Sequence, residues 1–450
     1  MANARKSKSK APETGINRIT VCGYKSISQE RSIDIRPLTI LAGANSSGKS
    51  SMIQPLLLFK QTLEASADPG TLLLEGPNLK FTAWDQLLSG RCNGTQTSMF
   101  RVGIGVQGGA LTTAFEKGLR GGLIVSEMTY AGRTEVTTLR PGMTHNEIIA
   151  AVPGIRGVGE SLAREEKVKT QWEVVPNRCF LGLQLVRQGK EARASFARPL
   201  SPSDYVEPYI ATIIHLPGLR DNPERDYPVP AVGETYPGAF QHYVASVIAK
   251  WQDDGRQDQL DTLDSSLQRL GLTWKVMAKK VLDTRVELRV GRLPRRAKGV
   301  EEDMVSIADV GLGVSQVLPV VVALLVAEPG QMVYLEQPEI HLHPKAQCAL
   351  ADLIVKAAGR GVRVVAETHS DLLLLRFQTL VAQGCIPQDS VALHWFSRSR
   401  DGATKVTSGN LDEAGAFGNW PEDFGDVSLN AESEYLRAAE TRLAERALGA

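Results

Sequence analysis

Residues 16–44 alternate apolar and polar positions. "INRITVCGYKSIS" and "SIDIRPLTILAGA" are rich in β-branched residues, and their period of two predicts two or three strands. At "GKSSMIQPLLLFKQTLEAS", 48–66, apolar residues recur at helical spacing, with Pro55 expected to shape the early turns. Between about 66 and 300 the pattern is mixed. "FRVGIGVQ", "GLIVSEMTYA", "TEVTTLRP", "TQWEVVP" and "FLGLQLVRQG" read as short strands between Gly-rich turns. "GAFQHYVASVIAKWQ" and "QDQLDTLDSSLQRLG" read as helices, and "TWKVMAKKVLDTRVELRVGRL" returns to strand. After residue 301 the order is helix ("SQVLPVVVALLVA"), strand ("MVYLE"), helix ("PKAQCALADLIVKAAG"), strand ("VRVVAETHS"), helix ("DLLLLRFQTLVAQG"), strand ("SVALHWFSR"). Alternating helices and apolar strands predict an α/β fold with a doubly wound, mainly parallel sheet. No internal repeat and no sustained heptad run is present, which argues against a long coiled-coil arm.

Composition narrows the class. With 450 residues, 42% hydrophobic and 22% charged, the chain has room for two or three domains and a large core. A formal net charge of +1 does not announce a nucleic-acid binder; only a local patch would. The five cysteines, Cys22, Cys92, Cys179, Cys348 and Cys385, are far apart and lack CxxC spacing, so a reduced cytoplasmic protein without a zinc site or disulfide framework is expected. The longest apolar run, 317–327, is too short to span a bilayer, so no membrane association is expected. The basic start, "MANARKSKSKAPETG", has no apolar segment behind it and reads as a disordered tail rather than a secretory signal. The expected organisation is a tail over 1–15, an N-terminal lobe over 16–115, a mixed α+β insertion over 116–300 and a C-terminal lobe over 301–450.

The chemistry begins at "GANSSGKS", which fits GxxxxGK[ST] between a strand and a helix. Its glycines allow a tight loop whose N–H groups and helix dipole receive phosphate oxygens. Gly43, Asn45, Ser46, Gly48, Lys49, Ser50 and Ser51 are the candidate nucleotide-binding residues, Lys49 for the β- and γ-phosphates and Ser50 for Mg²⁺. "MVYLE" carries Glu336 to the carboxyl end of the sheet, where a carboxylate would hold Mg²⁺. "DVGLGVSQVLPVV", 309–321, sets a Gly/Ser turn before a helix: Gly311 and Gly313 give backbone freedom, and Ser315 stands where an N-cap is expected. "VVAETHSD" sets His369 just past the next strand, within reach of a γ-phosphate or an attacking water.

This order of phosphate loop, Gly/Ser signature helix, "MVYLEQPEIHLHP" and "THS" resembles the ABC-type ATPase heads, a group that includes the SMC, RecF and OLD-type ATPases. The opening "ITVCGYKSIS…PLTILAGANSSGKSS" is similar to the start of RecF and SMC heads, where a basic residue at the place of Lys25 lies near the phosphates. "LPGLRDNPERDYPV" and "GNWPEDF" resemble a bacterial branch of stand-alone AAA-family ATPases often encoded in anti-phage defence islands. The resemblance implies an ABC-type P-loop head with an antiparallel β subdomain, ATP and Mg²⁺ as ligands, and head-to-tail ATP-sandwich dimers. In these, Gly313 and Ser315 of one subunit would cap the γ-phosphate held by the other, and "IHLHP" would contact the opposite subunit. The glutamine that follows the first lobe in the family is taken as Gln86, a metal-side group, with Gln54 as the rival. His341 and His343 would share one face of a strand, but no third metal ligand is evident.

Gln337 departs from the family pattern, which has a glutamate general base there. An amide takes no proton near neutral pH, although it can orient water. Slow hydrolysis is therefore expected, with Glu339 and then His369 as substitute bases. The leading reading is a slow ATPase switch that controls a separate effector, such as a nuclease or toxin, in anti-phage defence. The alternatives are a RecF/SMC-like DNA-maintenance ATPase and a hydrolysis-deficient, ATP-locked scaffold. The stretch 275–298 carries nine Lys/Arg against two acids and is a candidate stripe for DNA or RNA. Arg220 and Arg225 lie in a loop expected to reach a phosphate or a neighbouring subunit.

Overall fold

Every residue of strand β3 (Leu38–Gly43) is buried. Leu38, Ile40 and Ala42 enter one hydrophobic core and Leu41 enters another. A strand covered on both faces has no polar side to show, which is why its sequence reads as an apolar run interrupted only by the buried Thr39. The same division holds in β16 (Met332–Glu336), where Val333 and Leu335 face the first core and Met332 and Tyr334 the second. The computed structural model describes residues 14–90, 98–118, 121–157, 170–187, 195–229, 233, 235–292, 303–418, 433–440 and 442. The expected basic tail up to residue 13, Cys92, residues 293–298 of the basic stretch and "NWPEDF" lie outside them.

The central sheet has the order β11-β16-β17-β3-β18-β19, with β11 (Ile214–Leu216), β17 (Arg363–Glu367), β18 (Val391–Arg398) and β19 (Thr404–Gly409). The first five strands run parallel, and β19 pairs antiparallel with β18 at the edge. Beside it stands an antiparallel sheet of order β2-β1-β4-β5-β6-β7. Its members are β1 (Ile16–Cys22), β2 (Arg31–Asp34), β4 (Met99–Val106), β5 (Gly109–Lys117), β6 (Leu123–Gly132) and β7 (Val136–Leu139). Two smaller antiparallel sheets complete the β structure of the described residues. One joins β8 (Thr170–Asn177), β9 (Phe180–Arg187) and β10 (Ser195–Leu200); the other joins β12 (Tyr227–Pro228), β13 (Val276–Leu282), β14 (Arg285–Gly291) and β15 (Met304–Ser306). A parallel sheet with an antiparallel β subdomain is the expected fold class.

Helix α1 (Lys49–Glu64) continues through Pro55 and packs with the antiparallel sheet in the second core. The short helices α2 (His145–Ala151) and α3 (Glu207–Ala211) lie in the intervening region. The first core is filled by α4 (Val244–Asp253), α5 (Gln257–Arg269), α6 (Leu312–Val326), α7 (Pro344–Gly359) and α8 (Asp371–Ala382). None of the described helices is long and apolar enough to cross a membrane.

Two local expectations need correction. Helix α6 starts at Leu312, with Gly311 at the N-cap in extended conformation, so Ser315 is not the cap. Its hydroxyl donates instead to Leu312 O at 3.1 Å, inside the first turn. Glycine serves as an N-cap without a side-chain oxygen, and the helix therefore begins one turn earlier. His341 and His343 do not share a strand face. They stand in a turn, exposed on either side of buried Leu342, with His341 at φ +66°. His343 caps α7 through Nδ1, which accepts from Lys345 N–H at 3.3 Å.

Candidate functional site

The phosphate loop leaves β3 at Gly43, whose φ is +137°. Parallel pairing sets Gly43 against Phe396, and a Cβ on Gly43 would fall 2.0 Å from the Phe396 carbonyl oxygen. Only glycine fits there. Gly43→Ala is expected to cost about 1–3 kcal/mol from backbone conformation alone, with the clash added, and thus to lower the unfolding midpoint in a thermal melt. Beyond it Asn45 and Ser46 are exposed on the crest of the loop, Ser46 at φ +59°. Arg398 donates to Ser46 O at 2.6 Å, and Thr404 donates to Ser47 O at 2.9 Å, so β18 and β19 clamp the loop from outside. Gly48, at φ +104°, caps α1 with no side chain, which leaves the first amides of the helix for an anion. Ser51 is half-buried in that first turn.

Lys49 and Ser50 meet an acid that the sequence reading passed over. Ser50 donates to both oxygens of Glu367, at 3.1 and 3.0 Å, and Tyr334 OH donates to Oε2 at 2.9 Å. The buried Lys49 ammonium lies 3.9 Å from Glu367 Oε1 and donates to Gly43 O and Ala44 O at 3.0 and 2.9 Å. Burial raises the Glu367 carboxyl above its ordinary value, against the opposing pull of Lys49, Tyr334 and Ser50. Burial likewise lowers Lys49, opposed by Glu367. The signal for Glu367 was present, since "MVYLE" and "RVVAE" are successive strands that both end in glutamate. Their register sets Glu336 beside Glu367.

Glu336 itself is held from β11. His215 Nε2 lies 3.1 Å from Oε1, and Gly218 N–H donates to Oε2 at 3.2 Å. Burial acts to raise this carboxyl, but His215, Gly218 and Arg220 together keep it below the usual range. Gln337 adopts φ +43°, and its N–H donates to Glu367 O at 2.8 Å. Glu339 is buried; its Oε1 accepts from Thr368 Oγ1 at 2.6 Å and His369 N–H at 3.0 Å, while Oε2 has no partner among the described residues. His369 is half-buried, and burial together with the Lys49 charge holds it below its ordinary value, hence neutral at neutral pH. Lys49, Ser50, Glu336, Gln337, Glu339 and His369 thus gather at the carboxyl ends of β3, β16 and β17, the edge where open α/β sheets bind ligands.

Other candidates stand apart or turn inward. Lys25 donates to Gln54 at 2.7 Å and lies 4.5 Å over the Phe81 ring, and burial lowers its pKa. Gln86 is exposed and exchanges hydrogen bonds with Thr82, at 3.0 Å each way, rather than with Ser50 or Glu336. Gly313 and Ser315 are half-buried behind exposed Gly311 and Leu312. Arg220 is not free to reach outward. It is buried, donates to Gln316 O and Glu336 O at 3.1 and 3.2 Å, and is pulled down to about 10 by burial against the charges of Glu339 and Glu336. Arg225 is bonded to Asp309 at 2.8 Å. In the basic stretch, Lys275, Lys280, Arg285 and Arg292 are each paired with an acid: Asp264, Asp253, Asp226 and Asp303.

The donor set fits nucleotide and Mg²⁺. Ser50, Glu336 and Glu367 offer only hydroxyl and carboxylate oxygens, the donors a small hard cation prefers. Among the described residues no group of three His, Cys, Asp or Glu forms a metal cluster.

Two family models match the chain. Residues 15–100 match "AAA ATPase domain", and residues 286–376 match "AAA domain, putative AbiEii toxin, Type IV TA system". A comparison with curated proteins finds no match. Among solved structures, an SMC head bound to the C-winged helix domain of ScpA is 15% identical, covering 89% of this chain and 99% of that one at a TM-score of 0.47. The SMC head domain from Thermotoga maritima is 10% identical over 88% of this chain and 99% of its own, at 0.38. An Smc head with an extended coiled coil, bound to the C-terminal domain of ScpA derived from Pyrococcus furiosus, is 13% identical over 88% and 96%, at 0.46.

Proposed function

We propose that this chain is an AAA-type ATPase with an ABC-like head, and that it is a slow, nucleotide-dependent switch controlling a separate effector in bacterial anti-phage defence. The observation that carries slowness is the amide of Gln337 directly after Glu336, with the nearest unengaged carboxylate oxygen two residues on, at Glu339 Oε2. Lys49 would exchange the Gly43 and Ala44 carbonyls for phosphate oxygens. Ser50, Glu336 and Glu367 would hold Mg²⁺, which when bound neutralises charge on the phosphates. Gln337 orients the water, and Glu339 takes its proton. A site that turns over slowly spends most of its time loaded, as a switch does.

The start of α6 suits a second copy of the chain. Gly311 and Leu312 are exposed, Leu312 at 44%, and Ser315 follows within the first turn. An apolar side chain beside free helix amides favours a γ-phosphate presented by another protomer, in a head-to-tail dimer. The loop at His341 and His343, equally exposed, would line the same contact. The family matched at 286–376 is described by a toxin of a type IV system, which favours a cytoplasmic defence role with a toxin or nuclease as the controlled partner. Four of the six basic residues in 275–292 are paired with acids, which speaks against DNA as the main ligand.

Steady-state phosphate release by the purified chain tests this, with Lys49→Ala as control and duplex DNA added or withheld. The expected result is slow release, abolished in Lys49→Ala and indifferent to DNA. DNA-stimulated release would favour the RecF/SMC-like alternative. Tight ATP binding with no release would favour the locked scaffold.

A further inference from the structure

His215 is 2% exposed, on the short edge strand β11. Its two ring nitrogens are both engaged, Nε2 with Glu336 Oε1 and Nδ1 with Asn78 Oδ1, each at 3.1 Å. An ionised carboxylate has no proton to give, so Nε2–H is the donor to Glu336; Nδ1 carries no proton in that tautomer and accepts, which turns the Asn78 amide so that its Nδ2, otherwise without a partner among the described residues, is the donor to it. Asn78 is fixed in turn. Its N–H and that of Leu79 donate to Gln61 Oε1, at 3.2 and 2.9 Å, and Gln61 is a buried residue of α1. One chain of contacts therefore runs from the helix that opens at the phosphate loop, through Gln61, Asn78 and His215, to the acid at the end of β16.

The neighbouring acid is held by a parallel device. His215 pairs with Tyr334 in the β11–β16 register, and their rings stack with centroids 5.5 Å apart and planes 12° apart. Tyr334 OH donates to Glu367, while His215 faces Glu336. Each of two acids side by side in register thus has its own donor from one stacked pair, which keeps both carboxylates apart and aimed.

We propose that His215, oriented by Asn78, is a positioning residue that sets Glu336 to receive the divalent cation, and that the Asn78 segment is thereby coupled to metal binding. The inference rests on reading Glu336 as a metal-holding residue. A donor behind a metal-holding carboxylate fixes its rotamer, and removing such a partner typically weakens metal affinity by about 10–100-fold. A histidine serving only to fill the core would act through its shape, and a leucine or glutamine would replace it about equally.

The test uses Mn²⁺ as the probe, followed by electron paramagnetic resonance, on the full chain loaded with a non-hydrolysable ATP analogue. H215L fills the space without a donor, and H215Q returns an amide N–H close to the place of Nε2. The expected result is Mn²⁺ affinity about 10–100-fold weaker in H215L, largely restored in H215Q, and weakened in the same direction in N78A. Analogue binding in EDTA should be unchanged in all three. Equal Mn²⁺ affinities in H215L and H215Q, whether both tight or both weak, would overturn the proposal. If H215L does not fold, N78A decides, and an unchanged affinity there overturns it. Failure of the unaltered chain to bind Mn²⁺ with the analogue would instead sink the reading of Glu336, and the relay with it.

Discussion

Replacing Gln337 by glutamate is expected to raise ATP turnover by about 10²–10⁴-fold, the usual contribution of a general base. The two side chains are nearly the same size, and the site accommodates the change. The position already holds its unusual backbone, φ +43°, with its N–H on Glu367 O. Gly218 leaves space beside the side chain, since even an added Cβ there would stay 3.7 Å from Gln337 Oε1. A new carboxylate would stand among Glu336, Glu367 and Glu339, with Lys49 and Arg220 as the compensating cations. Crowding of like charges raises the proton affinity of the ionised carboxylate, which makes it a stronger acceptor. Phosphate release at saturating ATP, with nucleotide affinity measured in parallel, checks this. An unchanged rate would mean that Glu339 already supplies the whole of the base contribution.

The second large effect is expected at Glu339. Glu339→Gln should remove most of the residual turnover, by about 10²-fold or more, while ATP still binds. Glu339 has the two properties a base needs here. One oxygen is pinned by Thr368 and the His369 amide, which fixes the carboxylate, and the other is buried with no partner among the described residues. Glutamine keeps the first oxygen and converts the second into a donor, so shape survives and proton acceptance does not. Single-turnover phosphate release from a preloaded complex separates this loss from any change in binding. If Glu339→Gln turns over normally and His369→Ala does not, the neutral imidazole of His369 is the base instead.

The parts of the site that share one segment or one strand end were legible in the sequence. "GANSSGKS" between strand and helix, and the strand ending in Glu336, each state their geometry locally. The parallel sheet was legible because β3, β16 and β17 bury both faces, so their composition alone marks them. What escaped depends on contacts between distant segments. β11 is three residues, "IHL", too short for any period to register, yet it brings His215 and Gly218 to Glu336. Glu367 was as visible as Glu336, but the histidine two residues on drew the chemical reading. Arg220 looked like an exposed loop cation because nothing local reveals that Gln316 and Glu336 draw it inward. The α6 start was misjudged because serine is the commoner cap, and only the backbone at Gly311 decides the matter.

The strand order has a further consequence, for how the chain is made. β3 lies between β17 and β18, with Leu38 paired to Val364 and to Val391. During synthesis at 5–20 residues per second, the roughly 300 residues separating β3 from these partners take about 15–60 s to emerge. For that time a largely apolar strand has neither edge paired, although the antiparallel sheet close by in sequence can already close. Nascent chains are therefore exposed to mispairing at "LTILAG", and slowing translation or withholding chaperones should harm yield more than it harms the finished protein.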